Sequence, residues 1–228
     1  MTRTVKDPDV RSNEILDAAQ RLFFIQGYEH TSVQQIIDEV DIAKGTFYHY
    51  YRSKIDLLDA LFQRMFEGTL QVLTPMVADA SLSSLEKFDR FFAQIGTWKF
   101  ENKAFLTDLL ETYYGDENAL FREKLNKTSI RMTAPLFAQI IRQGIQEGIF
   151  AANDPEVLAE IVIGIWQQLP DAFAHLVLDG VVDEDALASL QEKVDAYQAA
   201  TDRVLGAQPG TVQFFDMQAV RAWFQSGV

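Results

Sequence analysis

The chain has 228 residues and a formal net charge of −13, from 33 acidic and 20 basic side chains. Hydrophobic residues make up 48% and there is no cysteine. That composition excludes a disordered chain, disulfides, thiolate zinc sites and cysteine nucleophiles. The charge is uneven. Residues 1–64 hold 8 Lys/Arg against 10 Asp/Glu, and the remainder holds 12 against 23. An acidic body repels nucleic acid, but a local cationic face still binds it. The polar opening "MTRTVKDPDVRSNE" lacks the apolar core of a signal peptide. The apolar run "IVIGIW" at 161–166 is far too short to span a membrane. The expectation is a soluble, cytoplasmic protein with no membrane partner.

The apolar residues recur at helical spacing throughout, with no sustained period of two. Ile15, Ala18, Ala19, Leu22 and Phe23 predict a first helix over 11–26, stopped by Gly27. Thr31 with Gln34 matches a capping box and opens a short helix to residue 40. A three-residue turn, 41–43, leads to a third helix over 44–50. Ser53 and Asp56 repeat the capping pattern before a fourth helix that ends near Pro75. Ser83 with Glu86 opens a fifth, over 84–98, and a sixth covers 103–114. The seventh spans 118–147, with Pro135 inside to kink or split it. Asp154 and Pro155 form an N-cap and first position for an eighth helix, which reaches Leu178 with a bend at Pro170. Asp183 opens a ninth that ends before Gly206. The tail, with Phe214, Phe215, Trp223 and Phe224, is too apolar to hang free and should dock through a short helix near 216–225.

Chemistry concentrates in "AKGTFYHYYRSK", residues 43–54. Two short helices joined by a tight turn make a helix-turn-helix, and the second lies in the DNA major groove. Helical spacing turns Phe47 inward and leaves Lys44, Thr46, Tyr48 and Tyr50 outward. Hydroxyls donate to phosphate oxygens, and lysine reaches phosphates or guanine acceptors. Lys54, at the start of the fourth helix, sits where free N–H groups and the helix dipole already favour an anion. Thr31 and Ser32 could hold another phosphate at the start of the second helix. An aromatic run at helical spacing more often fills a core. Four consecutive aromatics, 47–50, cannot all face one way, so some are exposed. His49 reads equally as surface or as a phosphate contact, and Arg52 as a solvated charge.

Residues 15–62, with "F..QGYEHTSVQQI" and "AKGTFYHYYRSK..LL", resemble the DNA-binding domain of TetR-family transcriptional regulators. The resemblance implies a homodimer with two N-terminal helix-turn-helix heads and an all-helical body that binds an effector. It places DNA contacts on Thr31 or Ser32, Lys44, Thr46, Tyr48, Tyr50 and Lys54, with His49 at a position that contacts DNA in some members. Two departures stand out. The family turn usually reads Gly-Val-Ser; here it is Asp41-Ile42-Ala43. Asp accepts a left-handed backbone less readily than Gly, and Ala43 removes a capping hydroxyl.

The implied fold is all-α, with about nine helices plus the docked tail. Residues 1–54 form the DNA-binding domain and 55–228 the effector and dimerisation domain. Aromatic and apolar residues of the body make a candidate effector pocket: Phe91, Ile95, Trp98, Phe105, Leu109, Tyr113, Met132, Trp166 and Phe173. The competing reading of each is plain core. A pocket of this lining takes a largely apolar or aromatic molecule. Asp171 and His175, four apart on one face, could anchor a ligand or metal but read more simply as an ion pair. The resemblance puts dimerisation on the eighth and ninth helices, where Ala159, Gly164, Ala188, Ala196 and Ala200 permit close approach. No catalytic, cofactor or metal motif is present: none of His30, His49 and His175 has Glu three residues before it, and there is no phosphate loop or nucleophile elbow. The expected function is a ligand-responsive repressor. The alternative is a helix-turn-helix regulator controlled by a protein partner.

Overall fold

A computed structural model of the chain describes residues 8–167, 169–179, 183–213 and 217–225. The side chains of Trp98, Asp171 and His175, and all of Phe214 and Phe215, lie outside the described set. Among the described residues every regular element is helical. The helices are α1 (Pro8–Gln26), α2 (Val33–Val40), α3 (Lys44–Tyr50), α4 (Lys54–Ala78), α5 (Ser84–Glu101) and α6 (Lys103–Tyr114). A 3₁₀ turn, Asp116–Asn118, precedes α7 (Ala119–Gln146), α8 (Pro155–Trp166), α9 (Leu169–Asp179), α10 (Glu184–Leu205) and α11 (Met217–Gln225). The all-helical expectation holds.

The chain divides into two compact units: residues 1–66 with 104–125, and 67–103 with 126–228. The first unit therefore extends past residue 54 to take in the start of α4 and most of α6. Its core joins Ile15, Ala18, Ala19 and Phe23 of α1, Ile36 and Ile37 of α2, Phe47 of α3, Leu57, Leu58 and Leu61 of α4, and Phe105 and Leu109 of α6. The helical spacing in α1 that predicted an inward face is thus met by side chains that exclude water.

In the second unit one core gathers Leu73, Phe88, Phe91, Phe137, Ile140, Ile141 and Val162. Phe88, Phe92, Phe137 and Trp166 pack ring against ring, with Phe92 and Trp166 centroids 3.8 Å apart. A smaller core joins Leu169, Leu187, Leu190, Val194 and Val220. The tail docks as expected. Phe173 meets Trp223 and Phe224, both with centroids 5.3 Å away. Lys103 Nζ donates to Trp223 O at 2.6 Å.

Several boundaries differ from the sequence expectation. The capping box of α2 is built by Ser32 and Gln35, not Thr31 and Gln34. Helix α4 passes Pro75 and ends at Ala78, and α7 passes Pro135 without interruption. The expected eighth helix is two: α8 stops at Trp166, and Pro170 falls in the first turn of α9, where no N–H is needed. The caps of Ser83, Asp154 and Asp183 form as the spacing predicts.

Candidate nucleic-acid interface

The turn between α2 and α3 is set by local chemistry. Asp41 ends α2 in the left-handed region, φ 51° and ψ 57°. Asp41 N–H donates to Asp38 O and Ile42 N–H to Ile37 O, the paired bonds of a Schellman ending with Asp where Gly is usual. Asp41 is the one non-glycine residue with positive φ among those described. Ala43 begins α3 with no side-chain cap. Both departures read from the sequence are therefore structural facts.

Helix α3 is seven residues long and fully buries one side chain, Phe47. Around that anchor Lys44, Gly45, Tyr48 and His49 are exposed and Thr46 is half-buried. Tyr48 is 45% exposed, with its ring edge-on to Phe47 at 5.3 Å. Tyr50 is half-buried and packs against the head core, with His49 edge-on to it at 5.1 Å. It offers less free surface than helical spacing alone predicts. Tyr51, not singled out in the sequence, is buried. Its hydroxyl lies 2.7 Å from Ser12 Oγ and locks the end of α3 to α1. Burial pushes its pKa up, partly offset by the Ser12 bond. Only its place at the end of a short helix hinted at this role.

The structure separates the two adjacent hydroxyls at the start of α2. Thr31 is wholly buried, and its hydroxyl donates to Gly27 O at 2.7 Å. A phosphate contact through that side chain is therefore corrected: its oxygen closes the α1–α2 turn instead. Ser32 is exposed, and its hydroxyl lies 3.0 Å from Gln35 Oε1. Lys54 is half-buried. Its Nζ donates to Tyr28 O at 2.9 Å and lies 4.0 Å from the Tyr28 ring centroid. Burial lowers its pKa, while Glu29 and Asp108 raise it. Arg52 is exposed, as read from the sequence.

The eight predicted pocket residues with described side chains are divided between the two units. Phe105 and Leu109 lie in the core of the first unit, and Tyr113 stacks edge-on with Tyr114 there. Phe91, Ile95 and Trp166 share the main core of the second unit, and Phe173 belongs to its smaller one. Met132 is half-buried on α7. A groove of about 250 Å³ opens in the second unit beside Val72, Leu73, Met76, Arg90 and Gln94, none of which the sequence had marked. The described residues contain no group of three or more His, Cys, Asp or Glu placed to hold a metal ion. No described helix is long and apolar enough to cross a membrane.

Comparison with known proteins meets this geometry. Residues 15–61 match the family described as bacterial regulatory proteins, tetR family. Residues 108–174 match the tetracyclin repressor-like C-terminal domain, and the two matches together span half of the chain. The chain is 25% identical over 153 residues to the HTH-type transcriptional repressor KstR2 of Rhodococcus jostii, covering 63% of this chain and 69% of that protein. It is 22% identical over 154 residues to the repressor DhaR of a Mycobacterium species, covering 67% and 77%. A TetR-family regulator from Pectobacterium atrosepticum shares the fold with TM-score 0.62 at 19% identity, over 91% of this chain and 100% of that one. RolR in complex with resorcinol does so with TM-score 0.61 at 16% identity, over 93% of each chain. KstR2 and DhaR are transcriptional repressors, and the Pectobacterium protein is a transcriptional regulator. With a helix-turn-helix head, an all-helical body and matches over both, the chain belongs to the TetR family of bacterial transcriptional regulators.

Proposed function

We propose that the chain is a homodimeric repressor that holds operator DNA through two heads and releases it when a small, largely apolar or aromatic molecule binds the body. Residues 1–54 supply DNA binding, and 55–228 supply effector binding and dimerisation. The observation that carries the reading is α3 itself. Phe47 is buried, and Lys44, Tyr48 and His49 stand exposed around it on a helix short enough to enter a major groove. Lys44 and Tyr48 reach base edges or phosphates. Thr46, His49, Tyr50 and the exposed Ser32 flank them, and Lys54 supplies charge. Such a regulator works in the cytoplasm, where the DNA is.

Dimerisation falls on α8, α9 and α10. Val157 and Ile161 stand one turn apart on α8, 49% and 43% exposed, and Leu178 on α9 is 38% exposed. Ala188 and Ala196 on α10 are exposed beside charged neighbours, leaving room for a helix to approach closely. RolR has been solved with resorcinol, an aromatic diol, which supports an aromatic effector. Phe91, Ile95 and Trp166 are the residues proposed to meet it, because they share one aromatic core. An effector shifts the DNA equilibrium only by its differential affinity for the two states.

The test is fluorescence anisotropy with a duplex selected by the protein from a random-sequence pool. Tyr48→Ala should weaken binding by about tenfold or more, the scale of one lost specific contact, and Arg52→Ala much less. The reverse ranking, or no selected duplex at low ionic strength, overturns the reading.

A further inference from the structure

The α1–α2 turn is gripped by α6 at two points. Gly27 has φ 87°, and a Cβ built on it would lie 2.6 Å from Asp108 Oδ1. The next residue's N–H, Tyr28, donates to Asp108 Oδ2 at 2.8 Å. One turn along α6, buried Thr112 donates its hydroxyl to Glu29 Oε1 at 2.5 Å. So three consecutive turn residues, 27–29, meet two side chains on one face of α6. All of these residues belong to the first compact unit.

The same turn carries Lys54. Its Nζ bonds the Tyr28 carbonyl and lies over the Tyr28 ring. The peptide groups on either side of Tyr28 Cα are thus both held, the N–H by a carboxylate and the C=O by an ammonium. A flexible four-carbon side chain loses rotamer freedom when it binds a phosphate. A lysine already seated on a fixed platform has less to lose. An ammonium has three donors, and the Tyr28 carbonyl occupies one. The others remain for an anion.

Resting on the DNA-binding reading above, we infer that Asp108 is a positioning residue for DNA binding: its carboxylate fixes the Gly27–Tyr28 turn, and the turn presents the Lys54 ammonium to a backbone phosphate. The ligand class is the phosphodiester, so the effect is uniform over sequence. Through this contact a residue of α6 sets the affinity of a surface that it does not itself line.

The test uses full-length protein and the duplex selected from the random pool, with six variants. Asp108→Ala removes the acceptor and should weaken binding about tenfold, as loss of a charge-assisted hydrogen bond implies. It should also flatten the slope of log affinity against log salt by about 0.9, the value for one phosphate contact. Asp108→Asn keeps an acceptor for Tyr28 N–H and should restore affinity to within about threefold of the parent. Lys54→Met should weaken binding alike on the selected duplex and on unrelated duplexes. In the Lys54→Met background, Asp108→Ala should then cost nothing more. An unchanged affinity for Asp108→Ala overturns the inference. So does an equal loss with and without Lys54, which marks a merely structural residue. Thermal unfolding of each variant, with Thr112→Val as a milder loosening of the same turn, separates poor folding from poor binding. Tyr48→Ala distinguishes the two readings. If it leaves affinity unchanged, the DNA-binding assignment fails. If it weakens affinity while Asp108→Ala does not, only the role of Asp108 fails.

Discussion

Single atoms decide which of two neighbouring side chains faces a partner. Thr31 and Ser32 both carry a hydroxyl and both have a glutamine three residues on, and the expected capping box falls on Thr31. The backbone turn at Gly27 resolves the choice, because it folds Thr31 under and leaves Ser32 outside. No spacing rule reads that difference, since both pairings place an acceptor three residues on. By contrast, Phe47 and the missing cap at Ala43 were legible, because a periodic apolar residue and an absent hydroxyl are properties of the letters themselves. The uncapped start of α3 leads to a prediction. Ala43→Ser gives that helix the acceptor it lacks and should raise stability to urea by about 1 kcal/mol. An unchanged unfolding midpoint would show that a partner other than the side chain already satisfies those N–H groups.

Helices were the most legible level of this chain, for a physical reason. Capping residues and terminal glycines act within one turn, so Asp154, Asp183 and Ser83 mark their helices wherever the rest packs. Pro155 opens α8 as expected, but Pro75 and Pro135 do not end or split their helices, because a proline's effect inside a helix depends on its neighbours. Pro135 lies within an unbroken α7, whereas the break near Pro170 comes before it. The candidate pocket was misread more deeply. Periodicity shows that Phe91, Phe105 and Phe173 point inward, but not toward which core, and they enter three different ones. The aromatic core of the second unit depends on Phe88, which meets Phe92, Phe137 and Trp166. Phe88→Ala should cost about 3–5 kcal/mol in chemical unfolding, the range for a fully buried Phe. A loss below about 1 kcal/mol would mean that the cluster collapses into the gap.

Charge is a property of the whole chain, and here it works against binding except at the heads. With a net −13, affinity for DNA rests on few cations. It should fall linearly with log salt, with a slope of about −0.9 per phosphate neutralised. Anisotropy over a salt series checks this, and a flat response would deny phosphate a part in binding. Acid acts on stability instead. Glu147 accepts the Ser84 hydroxyl at 2.6 Å, and this bond, with Gln143 and the Ser84 N–H, holds its carboxyl below the usual range. A depressed carboxyl contributes stability above its unfolded value and loses it as pH falls through the folded one. Ser84→Ala should therefore narrow the gap in unfolding free energy between neutral pH and about pH 3. A gap as wide as the parent's would place the acid sensitivity elsewhere.

One aromatic plug fastens the reading element to its scaffold, and the consequence is evolutionary. Substitutions at the outward positions leave that plug in place, so a descendant can acquire a new target sequence without first surviving a folding defect. Libraries randomised at 44, 46, 48 and 49 should accordingly stay well folded while their preferred binding sites diverge.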